Sequence, residues 1–387
     1  MSQASNLSRR CKLSDKRVRL PRTQTRGMNE LMAFGSGLKA PGGKRQDRVR
    51  GALLGGAIGD ALGAPVEFMS ADLIHSIYGK RGIKHYDVAY GRYGTITDDT
   101  QLTLLTAIGL LDARISLASG DISSVLDSVC SRYIDWCRHQ QGGATGCNRR
   151  RPVAGSLAVS LFAYRAPGFT CVSELAKMAE QPRICRAQNG SKGNGGIMRV
   201  APVAIVFAEG ECESRAVFEL SSAIAALTHG HPSGYLSAAA FSVILHSVIN
   251  GGSLRTAVHN ALSLIDAIPE GREVAFYLRL GLRLAEDEMS VDRALARIGR
   301  GAIAEEALGI ALFCALVSED FDTAIRLAVN HDGDSDTTGS LAGQLYGAVV
   351  GCSGIASNWT APLELGAEIV QFADELARIA LDCSATS

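Results

Sequence analysis

The 387-residue chain has ten cysteines but no Cys-x-x-Cys pair, which removes the usual signature of a thiolate zinc site and offers no disulfide framework. Such scattered usage fits a reducing, cytoplasmic setting. No apolar run reaches the roughly 18 residues expected of a membrane span, and no apolar block follows the basic N-terminus as in a secretory signal. Net charge is absent too, at +0, and no repeat of fixed length or second low-complexity linker appears. Strand-like segments are few and short, RICRA at 183–187 being one example. What remains is a large globular protein, 47% hydrophobic, with enough chain to bury a sizeable core.

Charge neutrality hides an uneven distribution. Residues 1–50 hold 13 Lys and Arg against three acids, and the rest of the chain holds 26 against 36. Rich in Ser, Arg and Gly and lacking a sustained period, residues 1–48 read as a flexible basic extension. A solvated tail, an arm that folds onto an acidic partner, an Arg-rich organellar presequence and a true start at Met28 all fit that composition. Nucleic-acid binding is disfavoured, because the body is acidic and carries no RNA or DNA motif.

Residues 49–387 read as one all-α domain, a compact irregular helical bundle. Apolar residues recur at three-to-four spacing in TQLTLLTAIGLLDARI, SSVLDSVCSRYIDWCRH, SSAIAALTHG, GYLSAAAFSVILHSVING, SLRTAVHNALSLIDAI, EEALGIALFCALVS and DTAIRLAVN. In GALLGGAIGDALG the glycines 51, 55, 59 and 63 fall on one helix face. Each costs about 1 kcal/mol relative to Ala, so the stripe predicts a second helix packed unusually close. Pro65 should end the helix just before Glu67.

Two Thr/Asp clusters draw attention. HDGDSDTTGS carries Asp332, Asp334 and Asp336 at alternate positions, but a calcium loop starting at Asp332 needs Gly at its sixth place and Glu at its twelfth, where Thr337 and Gly343 stand. Helix capping is the plain alternative. In YGTITDDTQLTLL, Thr97, Asp98, Asp99 and Thr100 likewise open an apolar helix. A cap needs one such residue, and adjacent aspartates repel by about 4 kcal/mol at 4 Å and an effective dielectric near 20. Convergence of the two clusters would call for a cation, and oxygen-only donors suit Mg²⁺, Mn²⁺ or Ca²⁺. In SKGNGGIMRV a glycine-rich loop precedes Arg199, an arrangement able to approach phosphate, though it has neither Rossmann nor P-loop spacing. His229 and His231, in LTHGHP, are by default capping or exposed histidines.

Taken in order, GALLGGAIGDALGAPVEF, GTITDDTQLTLLTA, GNGGIMRVAPVA, LTHGHP and LAVNHDGDSDTTGSLAGQLYGAVVG resemble the ADP-ribosylglycohydrolase family from about residue 50 to Trp359. The resemblance implies an all-α domain with two Mg²⁺ or Mn²⁺ ions at the bottom of an ADP-ribose cleft. Matched residue by residue, it implies metal ligation by Thr97, Asp98, Asp99, Asp334, Asp336 and Thr337. Glu67 and Asp334 become the catalytic carboxylates, and Gly193, Asn194, Gly195, Gly196, Met198 and His229 line the substrate. Asp332 keeps only a loop-shaping role. The implied reaction is hydrolysis of the glycosidic bond between ADP-ribose and a protein side chain, arginine ahead of serine, through an oxocarbenium-like state. A binder that has lost catalysis is the competing class, disfavoured because both clusters and Glu67 are intact. CNRRRPVAGSLAV, residues 147–159, departs from the family pattern, as does the basic extension. Because some bacterial relatives are immunity proteins, the extension suggests contact with a cognate ADP-ribosyltransferase. No nucleic acid or membrane partner is expected.

Overall fold

A computed structural model describes residues 43–142, 155–180, 186–207 and 211–384. The extension up to residue 42, and residues 147–154 of the CNRRRPVAGSLAV segment, lie outside them. Among the described residues the architecture is a helical bundle, and the single strand pair is a hairpin of β1 (Val88–Ala89) and β2 (Arg92–Tyr93). Most of RICRA falls outside the described residues, while Arg186 and Ala187 are irregular.

Each of the seven periodic segments is mainly helical, for example on Asp98–Asp112, Ile122–Gln140, Ala304–Val317 and Phe321–Val329, although the first runs past a break at Ala113 and SSAIAALTHG leaves its helix after Ala226. Helix Pro232–Ile249 is longer and more apolar than the sequence reading allowed, since by length and composition it could cross a membrane. Its apolar stretch is 83% buried inside the fold, the position of a core helix.

The glycine stripe explains the centre of the bundle. Helix Lys44–Gly63 lies antiparallel to helix Ser335–Val350, which carries a second stripe at Gly339, Gly343 and Gly347. A methyl group at Gly51, Gly55 or Gly59 would strike the carbonyl oxygen of Gly347, Gly343 or Gly339, and one at Gly63 that of Ser335. Close approach of this kind multiplies dispersion contacts along two facing backbones. It also fixes the register: the end of the first helix meets the start of the second. Residues 44–48, read above as the end of the extension, form the first turn of that helix. Arg45 donates there to Asn250 Oδ1 at 2.8 Å and to the Ile205 carbonyl at 2.9 Å. At its other end the helix gives way to a short 3₁₀ turn, Ala64–Val66, at Pro65, as expected.

Candidate active site

Register delivers Glu67 to the second Thr/Asp cluster. Glu67 follows the 3₁₀ turn, and one oxygen each of Glu67, Asp334 and Asp336 lie within 4.8 Å of one another. Phe68, next in sequence, donates its N–H to the Gly333 carbonyl at 2.7 Å, which locks the strand of chain carrying Glu67 beside Asp334.

The first cluster comes to the same place. Thr97 caps helix Asp98–Asp112 through a 3.3 Å bond from Asp99 N–H, the role that helix chemistry predicts. Asp98 and Asp99 are not needed for that cap. Asp98 instead accepts from Gly168 N–H at 3.0 Å, and Asp99 interacts with the Thr337 hydroxyl across the two clusters. Asp334 stands at the N-cap of its helix yet makes no capping bond with its side chain. Capping therefore accounts for one member of each set at most. Asp98, Asp99, Asp334, Asp336, Thr97 and Thr337 are all buried, whereas Glu67 is half-buried and opens the cluster towards the surface.

Electrostatics mark the cluster as unbalanced by protein groups alone. Burial pushes the Glu67 carboxyl up to about 8, with Asp334, Asp98 and Asp60 adding repulsion. Burial likewise lifts Asp98 to about 7, and raises Asp99 and Asp336 well above the ordinary carboxylate range. Asp99 Oδ1 is buried and takes no hydrogen bond. An orphaned carboxylate oxygen among hard oxygen donors is the environment a divalent cation of the magnesium or manganese type fits.

The glycine loop faces the site from another side. Gly193 bridges to Ile303, Asn194 donates through Nδ2 to the Gly301 carbonyl at 2.9 Å, and Met198 N–H returns to Asn194 O at 3.2 Å. The loop wraps the imidazole of His229: a Cβ on Gly193 would sit 3.2 Å from its Nε2, one on Gly195 3.1 Å from its Cε1, and one on Gly196 3.4 Å from its Nδ1. Here the histidine reading needs correction. His231 does cap a helix, accepting from Ser233 N–H at 3.1 Å, but His229 is buried and held neutral, pushed down to about 3 by burial and Arg199. Met198 is buried with it. Arg199 is corrected too: fully buried, it donates to Thr228 Oγ1 at 2.7 Å and lies over the Tyr133 ring, so it supports the fold under the loop.

Three supports escaped sequence reasoning. Asp60, from the glycine helix, accepts from Thr97 N–H at 3.0 Å, from Thr100 N–H at 3.1 Å and from the Thr100 hydroxyl at 2.5 Å. Its place in the GDALG run, one residue past Gly59, is the signal that could have found it. Glu364 accepts from Ile96 N–H at 3.2 Å and pairs with Arg165. Arg300 and Gly301 offer carbonyls to Asp334 N–H and to Asn194, so one irregular segment ties the loop to the second cluster. Asp332 behaves as a loop-shaping residue, accepting from Ala71 N–H at 2.6 Å.

Known proteins resemble this chain over most of its length. The chain is 28% identical over 328 residues to the ADP-ribosyl-[dinitrogen reductase] glycohydrolase of Rhodospirillum rubrum, covering 83% of this chain and 92% of that one. It is 26% identical to an ADP-ribosylarginine hydrolase of Pseudomonas putida (strain GB-1), over 85% of this chain and 78% of that one. A solved structure described as an ADP-ribosylglycohydrolase-related protein complex superposes with a TM-score of 0.65 at 25% identity, covering 87% of this chain and 99% of the other. The family profile for ADP-ribosylglycohydrolase matches residues 41–385, and the chain belongs to the ADP-ribosylglycohydrolase family.

Proposed function

We propose that this protein is a metal-dependent hydrolase that releases ADP-ribose from an arginine side chain of a modified protein. The observation that carries the reading is the meeting of Glu67 with two Thr/Asp clusters that lie far apart in sequence. The relatives named above, one an ADP-ribosylarginine hydrolase, support the substrate class.

Thr97, Asp98, Asp99, Asp334, Asp336 and Thr337 would hold two Mg²⁺ or Mn²⁺ ions. Bound there, such ions would neutralise the carboxylates and supply electrophilic stabilisation to ribose oxygens. The chain's own residues do the rest. Glycine loop 193–196 presents backbone to the diphosphate and ribose, and buried His229 and Met198 set its shape from behind. Glu67, the most exposed carboxylate of the cluster, takes the proton from the attacking water as the glycosidic bond opens. Asp334, within reach of Glu67, is the second carboxylate available for proton transfer to the leaving guanidine. Burial of the other carboxylates keeps bulk water away from the oxocarbenium-like centre.

Incubation of the purified protein with an arginine-ADP-ribosylated target, with and without Mg²⁺, tests this beside an Asp98→Ala, Asp99→Ala variant. Metal-dependent release by the wild type alone is expected. Release from serine-linked substrate only would move the reading to that linkage, and no release from either would end it. For the basic extension we propose contact with an ADP-ribosyltransferase, motivated by nine Lys and Arg against two acids in residues 1–42. Unchanged transferase binding after deletion of residues 1–42 would rule that out.

A further inference from the structure

Four residues other than glycine have a positive φ among the described residues: Phe68, Tyr90, Ala166 and Leu365. All four stand near groups that shape the site. Ala166 is two residues from Gly168, which holds Asp98, and Leu365 follows Glu364, which holds Ile96. Their small or buried side chains make them part of the scaffold. Phe68 and Tyr90 are different, because both are large aromatic residues left exposed, Phe68 by 64% and Tyr90 by 46%.

Neither ring is explained by its local structure. Tyr90 (φ 51) and Gly91 (φ 82) form the two-residue turn of the β1–β2 hairpin, a turn that favours Asn, Asp or Gly at its first position. A bulky residue there is an outlier without benefit to the turn. Phe68 (φ 56) needs its backbone conformation to reach Gly333, but glycine would serve that purpose better. Strain of this kind persists where function requires the side chain.

Position gives the function. Phe68 adjoins Glu67, and strand β1 packs against the Ala64–Val66 turn that leads into Glu67. Burial, joined by the nearby charges of Glu67, Asp336, Asp98 and Asp60, raises the Tyr90 hydroxyl above its ordinary range. Both residues therefore flank Glu67, the half-buried member of the cluster.

We propose that Phe68 and Tyr90 form an aromatic lip over the carboxylate cluster that selects a planar, cationic leaving group, the guanidinium of the modified arginine. The proposal deepens the function above and rests on it. A guanidinium is weakly hydrated and flat, so it stacks on aromatic faces better than an ammonium does. Six carboxylates, from Asp60, Glu67, Asp98, Asp99, Asp334 and Asp336, also outnumber the positive charges of two divalent ions, which leaves a field that favours a cation. A neutral serine hydroxyl gains from neither.

Glycine substitutions test the lip cleanly, because Phe68→Gly and Tyr90→Gly remove the rings and relax the backbone. Three readouts are compared in the Mg²⁺-loaded full chain: kcat/KM on ADP-ribosyl-arginine, the Kd of agmatine with ADP-ribose present, and the Kd of ADP-ribose alone. The double variant should lose about tenfold or more in the first two, with ADP-ribose affinity within about twofold of wild type. Phe68→Tyr and Tyr90→Phe, which keep the rings, should restore both. Equal loss of ADP-ribose affinity, or agmatine affinity unchanged in the glycine variants, overturns the lip. A wild type that leaves ADP-ribosyl-arginine intact defeats the functional reading by itself, and agmatine binding then still reads the rings.

Discussion

Two Thr/Asp clusters open two helices in nearly the same letters, yet the protein holds them by different means. TDDT is held mainly by charged groups from distant parts of the chain. Asp60 receives three donors from it, Glu364 with Arg165 fixes the residue before it, and Gly168 reaches in from another loop. DSDT is held by neutral groups. Thr338, in the first turn of the same helix, donates to the Ala328 carbonyl at 2.7 Å or the Asp334 carbonyl at 2.8 Å and meets His331 Nε2, while Asp334 N–H bonds to the Arg300 carbonyl. Like motifs thus have unlike foundations: the first is vulnerable to loss of charge, the second to loss of local shape.

The largest effects should ignore that asymmetry. Asp99→Ala and Asp336→Ala each remove a carboxylate proposed to touch the cations, so both should reduce ADP-ribose release to background. Calorimetry with Mn²⁺ provides a second readout. For an intact site at a hundredfold excess over Kd, metal should stabilise the fold by about 2.7 kcal/mol. That thermal shift should vanish in both variants. Retention of the shift in one of them would mean that the clusters do not share the ions.

Substitution of the supports brings the asymmetry out. Asp60→Ala leaves three buried donors without an acceptor and should weaken metal binding by about 10- to 100-fold, the range for outer-shell partners. Asp60→Asn should fall nearly as far, since its amide offers one acceptor and opposes a donor to the Thr97 N–H. Thr338→Val, by contrast, removes one hydroxyl from a neutral network. A loss of about 1–2 kcal/mol in stability, with metal affinity within about tenfold, is expected from chemical denaturation and calorimetry. Comparable loss of metal affinity in Thr338→Val and Asp60→Asn would erase the distinction.

The same contrast explains what could be read from the sequence. Apart from the Arg300 carbonyl, the supports of DSDT sit within HDGDSDTT or one helical turn of it, so most of their local chemistry is visible in a single stretch. The glycine stripe of residues 51–63 predicted a close helix neighbour, and the structure supplies one. Its partner stripe at Gly339, Gly343 and Gly347 went unremarked because those glycines lie in a motif already read for its aspartates. Asp60, Glu364 and Gly168 were missed for a physical reason: each acts across 37 to 268 residues of chain, no local period records such a contact, and only Asp60 carries a local hint, its place beside Gly59 in the glycine run. Arg199 misled in the opposite sense. Following a glycine loop, it looked like a phosphate ligand, but its guanidinium is buried inside the core, held by Thr228 and stacked over Tyr133.

Gly59→Ala probes the element common to both halves. The added methyl meets the Gly339 carbonyl, and helix backbones cannot yield as a flexible side chain can. Overpacking should destabilise the fold by about 1–3 kcal/mol, and Gly339→Ala, which meets the Gly59 carbonyl in return, should do the same. Because Asp60 adjoins Gly59, metal affinity should drop together with stability in both variants. A stable Gly59→Ala protein would show that the helices can part without disturbing the register on which Glu67 depends.

The smallest effect belongs to Asp332, the residue that gave its stretch the look of a calcium loop. Its carboxylate accepts from Ala71 N–H at an exposed position, so Asp332→Ala forfeits one solvent-accessible bond and should cost about 0.5–1.5 kcal/mol. Metal affinity should stay within about threefold of wild type, because Gly333 keeps Phe68 and Glu67 in place through its own carbonyl. Calorimetry with Mn²⁺ decides the matter: a hundredfold loss would make Asp332 part of the metal site, and DSDT would then be held by a charge in the same way as TDDT.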